Sequence, residues 1–149
     1  LARLSKEFEA LSRRALAMTR PMLERFGGFY PFGLMVDLGG ELSSIPVCDD
    51  EEQPTAPLIE ALRLTMRAAA VQHRSIASAV AYDATLSVRE TGREFDVIAI
   101  ELDDRHGRSI VSYVPYSGLG VDCTFGEAII DPGEHEIFGN VGAGGAWKD

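Results

Sequence analysis

Lysine and arginine are missing altogether from residues 26–60, and over the whole chain 14 basic residues face 23 acidic ones, a formal net charge of −9. Phosphate binding needs a basic face, so nucleic acid is not the expected partner. Cysteine is nearly absent: Cys48 and Cys123 stand far apart and form no CxxC pair. A disulfide framework needs denser spacing and a zinc site more ligands, so the two read as reduced thiols and the compartment as cytoplasmic. No apolar run approaches the ~20 residues of a membrane span, which argues against a membrane partner. Residues 1–25 are amphipathic and basic, without the continuous apolar core of a signal peptide. The catalytic patterns GxSxG and HExxH are missing, as is a P-loop. Gly118 and Gly120 have no helix N-terminus behind them to hold a phosphate, so no cofactor is expected.

What remains is ordinary globular material. The chain has 149 residues, 46% of them hydrophobic and 25% charged. A chain of this size buries roughly 70% of its unfolded surface, enough for one core without staples. A single domain is expected over residues 1–138, followed by a Gly-rich tail, 139–149, that carries the sole tryptophan, Trp147. Charge is placed in blocks. Residues 1–25 and 61–93 each carry +3, while 26–60 carry −7 and 94–149 carry −8. The basic blocks coincide with helical patterns and the acidic blocks with loops and strands.

Leu1, Leu4, Phe8, Leu11, Ala15, Met18 and Met22 recur three and four apart, the stripe of an amphipathic helix. Pro21 predicts a kink or break in it, and Gly27–Gly28 a stop. From Phe29 the period becomes two, with Tyr30, Phe32, Leu34, Val36 and Leu38 on one face. Gly39–Gly40 predicts a two-residue turn, and Leu42 to Val47 a returning strand. Thr55 and Pro57 suit the start of a second helix carrying Leu58, Leu62, Met66 and Ala69, and its Arg-rich end suits the helix dipole near His73. Alternation resumes at Ile76, with Ala77, Ala79 and Ala81 on one face and Val80 and Tyr82 on the other. Further strands are predicted over 95–102, 108–116 and 121–130. The expected class is α+β: a single, mostly antiparallel sheet of five or six strands with two helices packed on one face, in the order α-β-β-α-β-β-β-β. That order is similar to profilin-, roadblock- and longin-type domains, with a Gly-rich tail where those have a C-terminal helix. The likeness is topological and carries no residues over.

Histidines are the main candidates for chemistry. His106 sits in a turn with Asp103 and Asp104, and His135 sits between Glu134 and Glu136. Were the two loops to meet, His106, His135, Asp104 and Glu134 would supply an acid/base site, and Asp103, His106 and His135 a metal site. Tyr30, Phe32, Tyr82, Tyr113, Tyr116 and Trp147 are the aromatics available to line a ligand pocket. The acidic run 49–52 lacks the spacing of a calcium loop and suits the start of the second helix. The function expected first is non-catalytic: a binding or assembly module for a protein partner or for a second copy of itself. One form is an acidic protein that neutralises a basic partner, as an immunity protein does. A small hydrolase using His106 and His135 is the alternative from a different class, and a small-ligand sensor is the third.

Overall fold

The computed structural model describes residues 4–45, 55–118 and 120–138. Leu1, Pro46, Val47, Cys48, the acidic run 49–52 and the tail with Trp147 lie outside the described residues. In chain order the elements are α1 (Lys6–Phe26), β1 (Phe32–Asp37), β2 (Leu42–Ile45), α2 (Thr55–Val71), β3 (Ser75–Ser87), β4 (Glu94–Asp104), β5 (Ser109–Ser117), a 3-10 turn (Gly120–Asp122), β6 (Thr124–Phe125) and β7 (Ile129–Pro132). The class is α+β and the order is the expected one. All seven strands join one sheet, β2-β1-β3-β4-β5-β6, with β7 also pairing β5, and every pairing is antiparallel. The span 121–130, expected as one strand, is instead a 3-10 turn and two short strands that share the edge of β5.

The helices lie on opposite faces of the sheet, not on one. Ala77, Ala79 and Ala81 of β3, with Ile98, Ile100 and Leu102 of β4, pack against Phe8, Leu11, Ala15 and Leu23 of α1. Val80 and Tyr82, one residue out of phase, pack with Leu62, Met66 and Ala70 of α2. The cause is topological. Strands β2 and β3 both pair antiparallel with β1, so they run parallel to each other and α2 is the crossover between them. A crossover must pass over one face. The other face keeps its apolar surface for α1.

Each helix follows its sequence with one difference. In α1 the buried stripe is Phe8, Leu11, Ala15, Thr19 and Leu23, not the Met18 and Met22 that a strict heptad selects. A straight helix of 3.6 residues per turn drifts against that repeat. Pro21 does not end the helix, which runs on to Phe26 and is capped by Gly27 in the left-handed region. The carbonyl that Pro21 leaves without a donor belongs to Ala17, an exposed residue, so water can satisfy it. In α2 no basic residue occupies the last turn. The helix closes through its backbone: His73 takes φ +58, its N–H donates to Ala70, and the N–H of Arg74 donates to Ala69. The β1–β2 connection is a four-residue loop, Leu38 to Glu41, not a two-residue turn. Asp37 closes it by accepting from the N–H groups of Gly39 and Glu41, both at 2.9 Å. Tyr30 and Leu38 fall outside β1 and are exposed.

Candidate functional site

Three buried polar side chains, Ser78, Glu101 and Asp103, stand on the α2 side of the sheet. Antiparallel register sets Ser78 of β3 opposite Asp103 of β4, and Asp103 opposite Ser109 of β5. One step along, Val80, Glu101 and Val111 form the next row. Glu101 and Asp103 are two apart on one strand, so both carboxylates emerge on the same face.

Helix α2 brings the matching cations. Glu60, Arg63 and Arg67, three and four apart, share a helix face. The Arg63 guanidinium grips Glu101 with two donors, Nε to Oε1 at 3.1 Å and Nη2 to Oε2 at 2.5 Å. The Tyr82 hydroxyl donates to the same Oε2 at 2.8 Å. Arg67 donates through Nε to the Glu136 main-chain oxygen, through Nη2 to its carboxylate at 3.3 Å, and through Nη1 to Glu60 at 3.1 Å. Hydrogen bonding to Glu101 holds the Arg63 pKa above its ordinary value. Burial and then the Glu101 charge push the Tyr82 hydroxyl up. Hydrogen bonds from Arg63 and Arg67 hold Glu60 below the usual carboxylate range.

Beside this network a cleft of about 100 Å³ opens between α2, β5 and the segment after β7, with β4 as its floor. Four carboxylates, Glu101, Asp103, Glu134 and Glu136, line it against the single guanidinium of Arg63. Asp103 is 3% exposed, and its Oδ1 has no hydrogen-bond partner. Burial pushes the Asp103 carboxyl up to about 6, the Ser109 hydroxyl opposes that rise, the charge of Glu101 adds to it, and His135 counters it. Gly133 seals one wall: a Cβ there would run into the Ser109 hydroxyl and the Ile110 amide.

The expected site residues are dispersed over this frame. His135, at φ +55, donates its N–H to the Ser109 hydroxyl and lies near enough to act on Asp103. His106 is exposed at the tip of the β4–β5 hairpin, its N–H bonded to Asp104. Asp104 serves that hairpin: Oδ1 accepts from the N–H groups of His106 and Arg108, and Oδ2 accepts from the Arg108 guanidinium at 2.6 Å. Strand alternation turns Asp104 to the α1 face while Asp103 takes the α2 face. Among the described residues no three His, Cys, Asp or Glu side chains meet as metal ligands would, so Asp103, His106 and His135 do not converge. Glu134 stands at the rim of the cleft, exposed.

The aromatics are dispersed too. Phe32 is core under α1, Tyr82 and Tyr113 face the α2 side, and Tyr116 on the α1 side donates to Asp83 at 2.7 Å. Tyr30 belongs to a separate apolar groove of about 450 Å³, with Met22, Phe26 and Phe29. Arg63, Glu101 and Glu136 were not among the expected site residues. The clearest signal for them was Glu101, a lone charge inside the apolar run Val97–Leu102. Comparison with known proteins gives no match: no family model fits the chain, and no curated protein or solved structure is similar to it.

Proposed function

We propose that this protein is a non-catalytic binding module whose acidic α2-side surface recognises a positively charged protein partner, in the manner of an immunity protein neutralising a basic toxin. The observation that carries the reading is the cleft, where Glu101 and Glu136 are paired with Arg63 and Arg67 while no guanidinium reaches Asp103 or Glu134 among the described residues. A surface of one sign steers an oppositely charged partner and rejects nucleic acid. Among the described residues no helix is long and apolar enough to cross a membrane, and an anionic lipid surface would be repelled. Cys123 is buried and free, which supports a reducing compartment such as the cytoplasm. Self-association is the competing use of the surface, supported by the half-exposed Ile129 and Ile130 on the short β7. A monomer mass in light scattering at high concentration would dismiss it.

The binding reading is tested with two charge-matched variants and an oligolysine peptide. Asp131→Lys with Glu134→Lys alters the cleft side, whereas Glu9→Lys with Glu90→Lys makes the same change in net charge elsewhere. The first pair should lose most of the affinity and the second little, with binding weakening from about 50 to about 300 mM salt. Equal losses from both pairs would make the effect one of bulk charge and end the reading.

Acid/base catalysis centred on Asp103 is the second reading, favoured by a carboxyl raised to about 6 beside a cleft. It requires a rate against small ester substrates that follows ionisation of Asp103 and vanishes in Asp103→Asn.

A further inference from the structure

The cation networks on the α2 side leave out one buried carboxylate, Asp103. Arg63 is committed to Glu101, Glu60 and Glu136, and Arg67 to Glu136 and Glu60. Asp103 receives neither guanidinium. Its Oδ1 is buried without a donor, and directly across the strand pair the Ser78 hydroxyl oxygen is buried and unpartnered as well. A buried carboxylate oxygen without a donor is costly, and native structures rarely tolerate one unless something fills the place. We propose that the Asp103 cleft is a receptor for a primary ammonium group, carried by a lysine side chain or by a free alkylamine. The inference rests on the reading of this surface as cation-recognising and names the chemical group it takes.

Size, geometry and charge agree on that group. About 100 Å³ holds on the order of three water volumes, room for an ammonium head and its last methylenes but not for a whole metabolite. A guanidinium needs a carboxylate presenting both oxygens side by side, as Glu101 presents them to Arg63. Asp103 offers one unpaired oxygen, and the other acceptors that line the cleft, the carboxylates of Glu134 and Glu136, come from the segment after β7. The three rotatable donors of an ammonium suit acceptors spread in this way. A calcium or magnesium ion would need six or more oxygens, and no ligand group of three is assembled among the described residues. The wall residues Ile110 and Val111 give the alkyl stem an apolar side to lie against.

The test is a titration of the full chain followed by carboxyl ¹³C NMR, with four probes: n-butylammonium, N-acetyl-lysine methylamide, N-acetyl-arginine methylamide and potassium chloride. Saturable binding is expected for the two amines, at least about tenfold weaker binding for the arginine derivative, and none for the salt. Asp103→Asn should weaken both amines about tenfold or more with circular dichroism unchanged, while Glu134→Gln at the rim costs less than about threefold. Binding of n-butylammonium alone would assign the cleft to free amines, and binding of both would assign it to a partner's lysine as well. Failure of both amines, or equal binding to wild type and Asp103→Asn, overturns the inference. If oligolysine still binds in the charge-dependent manner while Asp103→Asn binds amines normally, the ammonium receptor falls and the acidic-surface reading stands. Amine binding lost in Asp103→Asn, with oligolysine ignored, gives the opposite division.

Discussion

The two faces of the sheet are built from the same strands and are chemically unlike. Under α1, alternate residues of β1, β3 and β4 present Leu34, Ala79, Ala81, Ile98, Ile100 and Leu102, all 0–1% exposed. Under α2, the intervening residues present Ser78, Val80, Tyr82, Glu101 and Asp103. Apolar interdigitation is indifferent to which exact partner fills a gap, provided the volume is right. Buried charge is not, because each group must find its partner or remain costly. Both faces bury apolar surface, and the α2 face in addition fixes where particular groups stand, at some expense in stability.

The largest effect should come from placing a charge on the apolar face. Leu11→Asp sets a carboxylate at a fully buried α1 position and should cost about 4 kcal/mol or more in urea unfolding. A variant that keeps its thermal midpoint but changes oligomeric state would make α1 an interface and erase the contrast between the faces. Next is Arg63→Ala, which leaves Glu101 buried and uncompensated and should cost about 3 kcal/mol or somewhat more. Replacing both partners by leucine should recover most of that loss. A double variant as unstable as the single one would show that the pair was not the source.

Asp103→Asn sharpens the contrast by its sign. The native chain holds the Asp103 proton more tightly than the unfolded chain, up to about 6 against 3.8. Stability from this group is therefore greatest below the unfolded value and is lost as pH rises through the folded one, roughly 3 kcal/mol in full by linkage. The variant should gain up to that amount near about pH 8 and almost nothing near about pH 4. A gain independent of pH would place the origin elsewhere. The smallest effect is expected for Tyr116→Phe, which removes the hydrogen bond to Asp83 on the α1 side, for about 1 kcal/mol. A much larger loss would mean that the apolar face also relies on polar pairing.

Elements were legible in the sequence because each is a local pattern. The α1 stripe, the alternation of β3 and the sequence of helices and strands need only the periods 3.6 and 2. The placement of α2 was not legible, because it depends on β1 entering between β2 and β3, a pairing between distant segments. Of the site, Asp103 was visible as an acid near His106, and Tyr82 as an aromatic on a strand. Its working partners were not, since Arg63 reaches Glu101 only once α2 is laid over the sheet. The histidines misled for a physical reason. His106 occupies a tight hairpin tip and His135 a left-handed backbone position, both conformations that turns impose.

The insertion of β1 between β2 and β3 also constrains how the chain can assemble. Strands β3, β4 and β5 are joined by short hairpins, so their zippering closes only small loops. β1 must instead find β3 across the whole length of β2 and α2, a much longer closure. The meander can therefore form early, and α2, joined to β3 by residues 72–74 alone, can lie over it before β1 closes the sheet. The Arg63–Glu101 pair needs only α2, β3 and β4, so the cleft floor does not depend on the long β1 closure, whereas the β2 edge of the sheet does.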